Sequence, residues 1–338
     1  MIAFRRHAPN NNTAASRTRG RMSSDDLKAS RAGRPLNATA VALMVMLCLS
    51  WGFNQITVKL ALPDIPPLMQ ATIRSVGGLI VLIAVAWARG VPLLARDGTL
   101  KAGLLAGTIF GLEFILIYRG LVYTTASRAV VFLYIAPFVV ALGSKRFLGE
   151  ELNRLQWGGL ALSFVGVALA IGVPQPSVDG KVIMGDMLVM VGGILWAVTT
   201  LVVKASSLLH APAEKTLAYQ VAVSIPILAI GALISGESFT HMPGPGAWAL
   251  MAYQAIWVVG TTFLIWVSMI KSYSASKLSS FTFMTPLFGV IGGYFVLHDA
   301  LTWAFLGAAL LVMAGLYLVN RPGEPAGNPL IPATENDT

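Results

Sequence analysis

The feature that most constrains this chain is a series of long apolar runs joined by short polar links. An α-helix rises about 1.5 Å per residue, so roughly 20 apolar residues cross the hydrocarbon core of a bilayer. Ten runs meet that length approximately: Ala38–Leu60, Pro67–Ala88, Ala102–Val122, Ala129–Leu148, Trp157–Val173, Gly185–Lys204, Leu217–Leu233, Trp248–Ile270, Leu278–Leu297 and Trp303–Asn320. The links Pro63–Pro66 and Glu237–Pro245 carry proline, glycine or charge, as turns do. Backbone N–H and C=O groups find no water in lipid, so spans of this kind are helices. Charged residues make up 12% of the chain, too few to wet the surface of a soluble domain this size. The expected fold is an all-α integral membrane protein of about ten transmembrane helices.

Placement of Lys and Arg orients the spans. With the N-terminus inside, nineteen of the 24 basic residues fall inside. Only Lys59, Arg119, Arg128 and Lys181 fall outside, and Arg74 lies within a span. An even number of spans returns the C-terminus to the same side. Residues 1–37 carry eight of the basic residues against Asp25 and Asp26 and read as a disordered cytoplasmic tail, with Met22 an alternative start. Residues 321–338 read as a second disordered tail. The first apolar run exceeds a signal-peptide core and lacks a cleavage site after it, so it reads as a retained span.

The chain also repeats itself. Shifted by 149 residues, Gly111–Gly166 matches Gly260–Gly315 at Gly111/Gly260, Phe114/Phe263, Ala126/Ala275, Ser127/Ser276, Phe132/Phe281, Pro137/Pro286, Gly143/Gly292, Gly158/Gly307 and Gly166/Gly315. Arg128/Lys277 and Glu150/Asp299 keep their charge, and a shift of 145 sets Trp51 on Trp196 and Lys59 on Lys204. Two halves follow, residues 38–173 and 174–320, of five spans each. Five is odd, so the second half enters the membrane inverted. Carriers built on inverted repeats bind their solute near the midplane, between the halves.

These residues resemble the drug/metabolite transporter superfamily, in particular its EamA-type permeases. The resembling elements are Trp51-Gly52-Phe53-Asn54 with Lys59, Arg74, Ala136-Pro137, and Gly149-Glu150-Glu151-Leu152 leading to Gly158 and Gly166. The second half echoes them in Gly185-Asp186, Trp196-Ala197, Lys204, Pro286, Asp299, Gly307 and Gly315. It departs at His298 and Ala300, where the first half has Gly149 and Glu151. The resemblance implies a multi-pass carrier of the bacterial inner membrane that exports amino acids or related metabolites.

Charges inside spans are costly and therefore informative. Glu113 is the one acid near the middle of a span, aligned with Thr262. It either titrates during transport, coupling flux to protons, or sits in a static pair with Arg74. Arg74 in turn either takes a substrate carboxylate or, the favoured reading, ties helices together through backbone carbonyls. Trp51, Asn54, Gln55 and Lys59 form one helical stripe, and Trp196, Thr200 and Lys204 repeat it. Both stripes are expected at the central cavity, the two lysines snorkelling from the span ends. Tyr118, Tyr134, Trp266 and Phe283 are candidates for an aromatic pocket. Pro137 and Pro286 are expected as matched bends that hinge or shape the cavity. The glycines Gly289, Gly292, Gly293, Gly307 and Gly315 are assigned to packing.

Enzymatic constellations are missing. His7, His210, His241 and His298 fall in tails or loops, and no cofactor or metal motif is present. Cys48 is the single cysteine, so no disulfide forms within the chain. The expected partners are a small solute and membrane lipid, not nucleic acid, with the oligomeric state open and a monomer sufficient. The alternative to a carrier is an uncoupled facilitator or channel-like permease for small polar solutes.

Overall fold

The computed structural model describes residues 34, 36–124, 126–171, 179–297 and 303–321. Outside them lie almost all of the basic tail with Met22 and His7, the tail beyond Arg321, and the loop carrying His298, Asp299 and Ala300.

Every described span is helical. Helix α1 (Ala38–Ala61) starts where Asn37 caps it, its side chain accepting from the Ala40 N–H at 2.8 Å. Helix α2 (Pro67–Ala88) opens on proline, which has no N–H to leave unsatisfied. Then come α3 (Leu100–Tyr123), α4 (Ala126–Leu133), α5 (Ala136–Phe147) and α6 (Arg154–Ile171). The second half holds α7 (Gly180–Ala205), capped by Asp179, and α8 (Ala213–Ile234). A span of three pieces follows: α9 (Pro245–Tyr253), a π-helical stretch Gln254–Thr262, and α10 (Phe263–Ser272). The chain ends with α11 (Ala275–Phe281), α12 (Met284–Leu297) and α13 (Trp303–Asn320).

Eight described helical stretches are long and apolar enough to cross a bilayer. Helices α6 and α13, of 18 residues each, are shorter apolar partners. Counting α4–α5, α9–α10 and α11–α12 as single crossings gives the ten expected spans. The prolines stand at matched interruptions of their spans. Pro137 is the second residue of α5 and Pro286 the third of α12, so each begins a new helix after an interruption instead of bending a continuous one. A proline's missing N–H and fixed φ suit a first turn and spoil a helix interior.

The packing follows a pseudo-two-fold pattern. Helix α1 lies against α12 of the other half, and α7 lies correspondingly against α4 and α5. The like pairs α2–α8 and α6–α13 meet each other, and α5 meets α11 where the two fourth spans touch. Glycines permit the closest approaches. A Cβ on Gly52 would stand 2.7 Å from the Thr285 carbonyl, and one on Gly315 would stand 2.4 Å from that of Gly159. Gly307 faces open space, so it has no packing role of this kind.

We call the side where α1 begins and α13 ends the terminal face, and the other the far face. The Gln156 amide donates to the Val319 and Arg321 carbonyls, tying the start of α6 to the end of α13 at the terminal face. The far face carries the Asp64–His241 contact, 2.8 Å, and the Arg128–Asp186 ion pair.

Candidate functional site

Between the halves lies a cavity of about 190 Å³. Helix α1 contributes Trp51, Asn54, Gln55 and Val58, α2 contributes Arg74, and α3 contributes Glu113, Phe114 and Tyr118. The two interrupted spans turn their breaks toward it: Leu133 and Tyr134 from one half, Thr282 and Thr285 from the other. Gln55 and Leu121 at its rim are exposed, so it opens toward the far face. A smaller space of about 60 Å³ lies on the terminal side, lined by Thr199, Thr200, Val203, Leu217, Gln220 and Trp266, among others. Trp51, Glu113, Phe114, Trp196 and Phe263 line both spaces and form the waist between them.

The waist is an aromatic stack. Trp196 and Trp266 lie nearly parallel with ring centroids 5.9 Å apart, and Trp51 meets Trp266 edge to face at 5.6 Å. The Trp51 indole N–H donates to the Thr262 hydroxyl at 3.0 Å, which donates to the Val258 carbonyl at 2.7 Å. The π-helical stretch thus holds the rotamer of a waist residue. Thr262 and Phe283 stand behind the wall and line neither space. Phe283 is fully buried and stacks on Tyr134 at 5.5 Å. The other aromatic candidates, Tyr118, Tyr134 and Trp266, do line one space or the other.

Arg74 and Glu113 are each 3% exposed and face the same cavity, yet no hydrogen bond or ion pair joins them. The guanidinium sits 4.6 Å from the centroid of the Phe114 ring. Its Nε and the Glu113 Oε2 are buried with no partner. The expected carbonyl ties of Arg74 are absent among the described residues, and its pairing with Glu113 is electrostatic, across the cavity, without a hydrogen bond. Groups of this cost left unsatisfied in a folded protein call for a reason, and a cavity ligand supplies one.

Below the waist the terminal face is closed. Lys204, expected to snorkel, is fully buried, because a carboxylate meets it within the protein. Its Nζ donates to Glu150 Oε1 at 2.9 Å and to the Tyr273 carbonyl. Glu150 crosses from the first half to cap the start of α11 in the second. It accepts from the Ala275 and Ser276 backbone N–H groups at 2.9 and 3.0 Å, and from the Ser274 and Ser276 hydroxyls at 2.7 and 2.8 Å. Lys59, aligned with Lys204, is exposed at the far face as expected. Lys215 is also buried, donating to Asp97 at 2.8 Å and the Ala95 carbonyl at 2.6 Å. Sequence reasoning missed the Glu150 cluster. Its signal was the matched register of Lys59/Lys204 and Glu150/Asp299, charges that at span ends look merely solvated.

No group of three or more metal-ligating side chains occurs among the described residues. The EamA-like transporter family profile matches residues 38–172 and again 183–321. The chain is 29% identical over 295 residues to the uncharacterized transporter YvbV of Bacillus subtilis, covering 85% of this chain and 92% of that one. It is 26% identical over 310 residues to the uncharacterized inner membrane transporter YedA of Escherichia coli, covering 88% and 96%. A WAT1-related chloroplastic protein of Arabidopsis thaliana is 26% identical, covering 80% of this chain and 67% of that one. A crystal structure 19% identical in sequence superposes with a TM-score of 0.71, covering 84% of this chain and 98% of that one, and shares the fold. With a ten-span helical fold, a cavity between its halves and a family profile that matches each half, this multi-pass membrane protein belongs to the EamA-like transporter family.

Proposed function

We propose that this protein is a secondary carrier of small zwitterionic metabolites, amino acids or close chemical relatives, working by alternating access through the central cavity. The observation that carries the reading is that Arg74 and Glu113, on the wall of one aromatic-lined cavity, each keep a buried polar atom with no hydrogen-bond partner. A solute with a carboxylate and an ammonium satisfies both at once. Arginine's fork takes a carboxylate bidentately, and the acid takes an ammonium. The surrounding tryptophan and tyrosine rings accept an apolar side chain.

Glu113 borders both spaces, so a proton can reach it from either side of the waist. That supports its role as the proton-coupling residue. The Lys and Arg asymmetry supports an inner bacterial membrane with both termini cytoplasmic, which makes the terminal face cytoplasmic and the far face external. Export is the direction we assign, and a monomer suffices for the site. No catalytic step, cofactor or nucleic acid enters the cycle.

The test is counterflow in proteoliposomes. Vesicles preloaded with a single amino acid are expected to accumulate the same labelled amino acid transiently and saturably. Glu113→Gln is expected to lose the response of flux to a pH gradient and, because it removes the ammonium's partner, to raise the KM for counterflow. Linear, non-saturable flux without counterflow would instead identify a channel-like permease, and counterflow indifferent to pH an uncoupled facilitator.

A further inference from the structure

We infer that the Glu150 cluster is a latch holding the terminal face shut, and that it must open for the cavity to reach that side. The inference rests on the carrier reading above. Glu150 belongs to the first half, and its partners Lys204, Ser274, Ala275 and Ser276 belong to the second. Any rocking of one half against the other at this face has to pull the carboxylate from these donors. The contact is concentrated: one carboxylate takes five hydrogen bonds between 2.7 and 3.0 Å.

The location fits a latch. Lys204 lies one residue beyond Val203, which lines the small terminal-side space, so the cluster stands directly beneath that space. It is dry, with Lys204 fully buried and Glu150 7% exposed. Charge-assisted hydrogen bonds are strong there while intact, and few waters are at hand to replace them one by one. Release is therefore cooperative, which suits a two-state closure. The aligned lysine at the open far face, Lys59, stays exposed.

Reporter cysteines test the latch in a Cys48→Ser background, in the full chain reconstituted in vesicles. Val203→Cys reports the terminal side and Gln55→Cys the far side, each with an impermeant maleimide. Glu150→Gln is expected to raise labelling of Val203→Cys about tenfold or more, the effect of one lost charge-assisted hydrogen bond on a two-state equilibrium, and to lower labelling of Gln55→Cys. Ser274→Ala with Ser276→Ala keeps the Glu150–Lys204 pair, so it guards against a variant that fails to fold. It is expected to shift both reporters the same way by a smaller factor. Reciprocal change supports the latch. Unchanged labelling, or a rise at both reporters, overturns it and leaves Glu150 a static staple. Counterflow in the parent protein is measured alongside, so a failed latch and a failed carrier give different results.

Discussion

A guanidinium stacked on Phe114 and a carboxylate facing the same cavity are costly residues to bury, and the rest of the site is arranged around them. If Arg74 receives a carboxylate through its planar fork, lysine is a poor replacement, because it offers a point charge without the fork. Arg74→Lys is expected to raise the KM for counterflow about tenfold, and Arg74→Gln to raise it further, measured on initial rates at several solute concentrations. Trp51→Phe removes an indole N–H and leaves the Thr262 hydroxyl without its donor. It should destabilise the protein by about 0.5–1.5 kcal/mol in thermal unfolding, the usual net worth of such a bond. Arg74 and Glu113 were legible in the sequence because a charge inside an apolar run stands out. Glu150 and Lys204 were not, since a charge at a span end carries the same signature whether it meets water or a partner 2.9 Å away.

At the scale of elements, the prolines marked where two spans are interrupted, and the interruptions put Tyr134 and Thr285 on the cavity wall. Whether such a span bends or breaks depends on where the flanking helices find their partners. Leu133, the last residue of α4, turns its carbonyl to within 2.6 Å of where a Cβ on Gly193 would be, a contact between halves that no local pattern encodes. The π-helical stretch was likewise invisible, because apolar residues there show no preference between the two ladders. Its position follows from packing: a Cβ on Gly78 would stand 2.3 Å from the Val259 side chain. Close glycine contacts make a direct prediction. Gly52→Ala should cost about 1–3 kcal/mol by forcing α1 off α12. Gly307→Ala, with open space at its Cα, should leave the unfolding midpoint unchanged or raise it slightly, since alanine is the better helix former.

For the whole molecule, ten spans, two halves and the cavity between them could be read from the repeat, since matched glycines, prolines and tryptophans fix one register. Which end is closed could not, because the sequence is nearly symmetric and the ion pairs that close it, such as Glu150–Lys204, leave no separate mark in it. One such pair carries a pH dependence. Lys215, then Thr99, holds the Asp97 carboxyl in the terminal-face loop down to about 2, from an ordinary 3.8. A carboxyl lowered on folding contributes stability above its ordinary value and loses it as pH falls toward the folded one. Thermal unfolding should therefore show a modest loss between about pH 4 and pH 2 that disappears in Asp97→Asn, modest because the group is partly exposed. The unpartnered polar atoms of the cavity have a consequence of their own. An empty protein with unmet hydrogen-bonding capacity at its centre is the least stable member of its own cycle, and whatever fills that capacity raises its melting temperature. At a hundred times its dissociation constant a ligand adds about 2.7 kcal/mol. Heating the purified protein against a panel of metabolites, one per well, would let it report its cargo before any flux is measured.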